Sequence, residues 1–162
     1  DHFSWIDTVN NKPLPQYVTV QNLPKTAGSP ERINHSQLTG YFPDTFLTDS
    51  RYQVQLSFIN SGQTIWNPDT NTLKIEHTLT KDAVVNLEGL NITKPKEALN
   101  LWLEIITPPD EGSFTITVQL LHHNQPFGQI GLYEFNVLKP TLVNQARIWF
   151  KQLIHSENFK IL

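Results

Sequence analysis

Apolar and polar residues alternate along residues 51–58 of this chain. Because a β-strand turns successive side chains to opposite faces, the pattern predicts a strand with one buried and one solvated face. The following Asn60 and Gly62 have turn chemistry, since both residue types adopt positive φ at low cost. Trp66 comes next, and large aromatic side chains dominate core burial, so we interpret it as a core residue at one end of a β-sandwich.

Further strand patterns follow at residues 72–80, 84–87, 99–106, 114–120 and 133–137. A short strand is also predicted at 17–21, a broken edge strand at 38–46 and a hairpin connection at 122–128. Turn residues separate these stretches every ~8–12 residues, and no helical pattern lies between them. The spacing predicts an all-β protein: an Ig-like antiparallel β-sandwich of about seven to eight strands.

A helical pattern begins after Pro140. Apolar residues recur there at helical spacing, and Thr141 is the expected N-cap. The apolar positions are Leu142, Val143, Ala146, Trp149, Phe150, Leu153 and Ile154. A helix this apolar has to pack on the sandwich, on a second copy of the chain or on another part of the parent protein.

These patterns divide the chain into three parts. Residues 1–16 form an N-terminal lead-in, residues 17–139 the sandwich and residues 140–162 a C-terminal helical segment. A chain of 162 residues is long enough for one domain with a sizeable core. Because it opens at Asp1 and contains no methionine, we expect it to be a piece of a longer, bacterial protein.

Composition excludes several classes of function. The net charge of −3 and the absence of a basic run argue against nucleic acid as a partner. No apolar stretch approaches the ~20 residues of a membrane span. Without cysteine there is no disulfide framework, thiolate metal site or cysteine nucleophile.

No motif for catalysis or metal binding is evident. His122 and His123 are adjacent, so on a strand they would point to opposite faces and could not chelate together. Three acidic residues on predicted strands fall at polar, solvated positions and do not suggest a hydrolytic pair: Glu76, Glu104 and Glu134. We therefore expect no catalytic residue, no metal ion and no cofactor in this chain.

Trp102 and Ile106 are the candidate contact residues. Both are apolar, yet both fall on the polar side of the strand predicted at 99–106. Such a pair is either covered by a terminal segment or exposed as a contact patch for a protein or a glycan. We favour cover, because Trp5 and the C-terminal helix both need a surface to pack on.

Three motifs occur in a recognisable order: the Asn60-Ser61-Gly62 turn before Trp66, the Gly112-Ser113-Phe114 strand start and the Phe127-Gly128 step. This order resembles the Ig-like FW domain, found centrally in an autophagy receptor and in many bacterial multidomain proteins. The resemblance covers about residues 17–139. It departs from the family at Ser113, because the family often has a tyrosine directly after the glycine.

The resemblance implies a β-sandwich used for protein–protein contact, without catalytic residues and with a structural role for the motif residues. The leading hypothesis is thus a non-catalytic interaction module of a larger protein. The first alternative is a carbohydrate-binding accessory domain beside a glycosyltransferase or glycoside hydrolase. The second is a structural spacer, or a dimerisation domain that associates through its C-terminal helix.

Overall fold

The structure is a computed structural model, and it describes residues 34–80 and 83–162. The strand predicted at 17–21 and the lead-in at 1–16 lie outside the described residues. Within the described residues there are nine strands and one helix: β1 (Ser36–Thr39), β2 (Thr45–Leu47), β3 (Arg51–Asn60), β4 (Asn71–His77), β5 (Val84–Asn86), β6 (Ala98–Ile106), β7 (Gly112–His122), β8 (Gln125–Leu138), α1 (Leu142–Ile154) and β9 (Phe159–Ile161).

The strands form two sheets packed as an Ig-like β-sandwich, which confirms the predicted fold class. One sheet has the order β1-β3-β6-β5, and β9 also pairs with β3. The other has the order β2-β8-β7-β4. The pairing of β2 with β8 is parallel, and the other pairings of the named strands are antiparallel.

The core lies between the sheets, where the alternating apolar residues point inward. On β3 these are Tyr52, Val54, Leu56 and Phe58, all without exposed surface. β6 extends the same layer, because Val54 pairs with Leu103 and Leu56 with Leu101. β7 and β8 close the core from the opposite sheet, and the polar residues between the apolar ones face outward as the pattern predicted.

The stretch at 38–46 is two strands in different sheets and not one broken strand. β1 pairs with β3, whereas β2 pairs with β8. Gly40 between them has a φ of +119°, which few other residues adopt, and Pro43 has no N–H to donate to a ladder. The chain therefore crosses from one sheet to the other at this point.

The predicted hairpin connection at 122–128 is shorter than expected. His123 and Asn124 form a tight turn with φ values of 48° and 62°, and β8 begins at Gln125. Two central residues with positive φ match the right-handed twist of the flanking strands. The prediction placed Phe127 and Gly128 in the connection, but both lie inside β8.

The C-terminal segment contains the predicted helix and an unpredicted strand. The Thr141 side chain accepts a hydrogen bond from the Asn144 N–H at 3.2 Å, so the N-cap is confirmed. After the helix, β9 pairs antiparallel with β3 over Tyr52–Val54. Its Phe159 is fully buried in the core. In the part of the chain that the structure describes, no helix has the length and apolarity needed to cross a membrane.

Tyr133 gives the fold a measurable alkaline sensitivity. Phe42 stacks on its ring at 4.2 Å between centroids, and burial raises the pKa of Tyr133 to about 12. The folded protein therefore holds this proton more tightly than the unfolded chain, whose tyrosine pKa is ~10. The resulting stabilisation is fully present below pH ~10 and is lost as pH rises to ~12.

We expect Tyr133→Phe to flatten this loss of stability. Between pH ~10 and ~12 the wild-type free energy of unfolding should fall by about 1–2 kcal/mol more than that of the variant, after discounting for partial solvent access. Urea denaturation at several pH values measures the difference. The other tyrosines are present in both proteins, so their contributions cancel in the comparison. An identical pH dependence of the free energy of unfolding in the two proteins would contradict the prediction.

Candidate functional site

Trp102 lies on the outer face of the five-stranded sheet and is half-buried. Lys160 of β9 places its Nζ 4.4 Å from the centroid of the indole ring, which is a favourable cation–π distance. Among the described residues, Lys160 of β9 thus covers one face of the Trp102 ring. A sugar stacking on that face would have to displace Lys160.

Ile106 lies on the same outer face, at the end of β6, and is 38% exposed. Between Trp102 and Ile106 on that face is Glu104, which forms an ion pair with Arg51 of β3. Residues of β3 that pair with this part of β6 include Gln53 and Gln55. Trp102 and Ile106 are therefore separated by charged and polar side chains and do not form one apolar patch.

Asn60, among the motif residues, organises the turn after β3. Its buried amide donates hydrogen bonds to the carbonyl oxygens of Thr64 at 2.8 Å and Thr93 at 3.1 Å. Its Oδ1 accepts from the Gly62 N–H at 3.2 Å. Gly62 was expected to supply positive φ, but among the described residues the left-handed glycines are Gly40 and Gly128. The side chain of Asn60, and not the freedom of Gly62, shapes this turn.

The remaining motif residues pack around the core. Trp66 is 2% exposed, and its ring meets that of Phe127 edge-on at 5.7 Å. Gly112 begins β7, and Phe114 stacks on the core residue Phe135. Gly128 has a φ of +69° and lies directly against Ser36 of β1. Trp66, Phe114, Phe127 and Gly128 therefore all make contacts within the sandwich.

Three contacts fix the orientation of α1. Ile148 is buried in the core cluster. Lys151, on the same side of the helix, forms an ion pair with Asp44. That hydrogen-bonded ammonium holds the pKa of Asp44 below its usual range, so the pair stays ionised at neutral pH. At the C-terminal end, His155 stacks on Tyr41 with 3.6 Å between ring centroids.

The opposite side of α1 is apolar and exposed. We call it the α1 face, and it consists of Leu142, Val143, Trp149, Phe150, Leu153 and Ile154. Trp149, for example, is 62% exposed. An amphipathic helix on a globular domain normally turns its apolar stripe inward. Here the stripe points away from the sandwich, which is the typical arrangement of a contact surface.

The two adjacent histidines lie at the end of β7 and in the turn that follows it, and Glu76 and Glu134 lie on β4 and β8. The rings of His122 and His123 lie 4.4 Å apart and do not point to opposite faces, because His123 is in the turn and not in the strand. Over residues 34–80 and 83–162, no three histidine or acidic side chains gather as a metal site would require. Glu76 pairs with Lys74 at 2.7 Å, and Glu134 is exposed.

A cleft of about 250 Å³ opens between β1 and β8. Leu38 and Gly40 form one wall, and Gln129, Ile130 and Tyr133 belong to the other. The Gln129 side chain crosses between the strands, because its Oε1 accepts a hydrogen bond from the Leu38 N–H at 3.0 Å. Sequence reasoning missed this cleft, since it depends on two strands that are distant in sequence and belong to different sheets.

No protein-family model and no curated protein matches this sequence. Among solved structures, it is similar to the ASH / PapD-like domain of human CEP192 (PapD-like domain 7), with a TM-score of 0.42 and 9% identity over 77% of this chain and 98% of that chain. It is also similar to the secreted serine protease VesC from Vibrio cholerae, with a TM-score of 0.43 and 10% identity over 72% of this chain and 26% of the protease chain. At this level of identity, the likenesses concern the fold alone.

Proposed function

We propose that this chain is a non-catalytic Ig-like binding module that makes protein–protein contacts through the α1 face. The observation that carries the proposal is the orientation of α1: its apolar side chains face solvent, while Ile148 and Lys151 attach it to the sandwich. Exposed apolar surface is costly in water, so a surface built in this way gains free energy when a partner covers it.

The order of sequence motifs gives independent support. The Asn60 turn, the Gly112 strand start and the Phe127-Gly128 step resemble the FW domain, a family associated with protein–protein contact. The α1 face also has the composition of the centre of an interface, because aromatic side chains are enriched there and charged ones are depleted.

Photocrosslinking tests the proposal. A photoreactive amino acid replaces Phe150 on the α1 face, and a matched protein carries it at Glu134, which is exposed on β8. When each protein is expressed in the organism that normally produces it, we expect the residue at position 150 to crosslink to another protein molecule and the residue at position 134 not to. Leu142→Ser, a change at the exposed N-terminal end of α1, should abolish them. Equal crosslinking at the two positions would overturn the proposal.

A further inference from the structure

The exposed side of α1 carries a regular seam. Leu142, Ala146, Trp149 and Leu153 follow one another at intervals of four, three and four residues. These are the d, a, d and a positions of a heptad repeat, which two packed helices share. All four residues are exposed, and Leu142 is 86% and Leu153 61% exposed. The seam is therefore formed on the sandwich but has no covering helix among the described residues.

We propose that two copies of this chain associate through α1 as an antiparallel helix pair. This inference rests on the proposed function, and it names the partner of the α1 face as a second copy. Antiparallel pairing about a two-fold axis between Arg147 and Ile148 places Leu142 against the partner's Leu153. The same axis places Ala146, the smallest side chain of the seam, against the partner's Trp149, the largest.

This size match makes the seam self-complementary. Small and large side chains fill a shared interface without voids when they face each other. The flanking apolar residues obey the same symmetry, because Val143 comes beside the partner's Phe150. A two-fold symmetric interface requires such self-complementarity, since each surface contacts its own copy.

The charge distribution also favours a second copy. The seam and its flanking positions contain no charged residue, and Gln145 and Gln152 line its other edge. Arg147 lies outside the seam, and Lys151 is turned toward Asp44. Two identical copies bring identical charges together, so an uncharged seam avoids like-charge repulsion. An acidic or basic partner would find no opposite charge on this surface.

The size of the surface fits a dimer. The six side chains of the α1 face together expose on the order of 700 Å² of apolar area, judged from the ~200 Å² of a whole aromatic side chain. This exceeds the ~300–600 Å² of the largest patch on a typical monomer. It approaches the ~800 Å² that each partner buries in a stable interface.

Sedimentation equilibrium of the full 162-residue chain, from about 1 µM to about 1 mM, tests association. We expect a dimer that Leu153→Glu weakens at least ~100-fold by placing a charge in the seam. Ile130→Glu is the matched control, because Ile130 is also an exposed apolar residue but lies on β8. It should dimerise like the wild type. Circular dichroism melting verifies that both variants are folded.

Cysteine crosslinking tests the antiparallel arrangement, and the chain contains no cysteine that would interfere. A mixture of the Leu142→Cys protein and the Leu153→Cys protein should form a disulfide-linked heterodimer, whereas neither protein should form a disulfide-linked dimer with itself. Crosslinking of each protein with itself would overturn the antiparallel pairing. A wild-type monomer at all concentrations would overturn the dimer. If the wild type is a monomer but the photoreactive residue at position 150 crosslinks to a different protein, the proposed function stands and only the dimer is wrong. If position 150 crosslinks to no protein, the dimer and the proposed function are both wrong.

Discussion

Replacing Phe159 by alanine is expected to lower the free energy of unfolding by about 3–5 kcal/mol, the usual cost of removing a fully buried phenylalanine side chain. Phe159 has no exposed surface. Its ring stacks on Tyr52 at 5.6 Å and meets Phe46 edge-on at 6.0 Å. Alanine would leave a cavity between these rings that the two sheets cannot close without moving. Urea denaturation measures the loss.

Phe150→Ala provides the matched control. It removes the same atoms from a position that is 58% exposed, so its effect should stay within ~0.5 kcal/mol. Both variants should be compared at the same low protein concentration, which keeps any contribution from association through α1 small. If Phe159→Ala proved as stable as Phe150→Ala, β9 would not be part of the folded core.

β9 also matters for function because it contributes to holding α1 on the sandwich. Ile148 and the Lys151–Asp44 ion pair attach the helix to the sandwich, and β9 attaches the chain that follows it to β3. A helix that is attached both through its own side chains and through the strand that follows it presents its apolar face in one orientation. Such preorganisation lowers the entropy lost on binding. We therefore expect Phe159→Ala to weaken contacts through α1 even though it touches no partner.

Local patterns in the sequence were sufficient to predict the sandwich. The strict alternation in β3 and β7 reflects sheets with one buried and one solvated face. The spacing of Leu142, Ala146, Trp149 and Leu153 predicted α1, and the hydroxyl of Thr141 predicted its first residue. In these segments local propensity and tertiary packing favour the same structure.

The missed features depend on residues far apart in the chain. β9 has three residues, too few for a period, and it forms because Phe159 fills a gap beside Tyr52. The division of 38–46 between two sheets follows from the partners that β1 and β2 find, not from their own side chains. The Lys160 ammonium over Trp102 depends in turn on β9. The sequence indicated that α1 had to be covered, but only its packing showed that the apolar side faces outward.

Gly128→Ala is expected to lower the free energy of unfolding by about 3–4 kcal/mol, for two reasons that add. Gly128 has a φ of +69°, where a side chain costs ~1–2 kcal/mol. In addition, an added Cβ would lie 1.9 Å from Oγ and 2.5 Å from the backbone N of Ser36. Ser36 is fully buried in β1, so β1 would have to move away from β8. Overpacking of this kind costs ~1–3 kcal/mol.

Two comparisons isolate these causes, with urea denaturation as the measurement. Gly89→Ala is the control, because a Cβ there meets no atom within 4 Å, and it should be neutral or slightly stabilising by up to ~1 kcal/mol. Ser36→Gly removes the side-chain part of the clash, so Gly128→Ala should cost less in that background than in the wild type. Equal costs in the two backgrounds would mean that the Ser36 side chain contributes nothing, so that backbone strain and the contact with the Ser36 backbone N make glycine necessary at residue 128. A smaller cost would show that the close approach of the Ser36 side chain on β1 to Gly128 on β8 requires it as well.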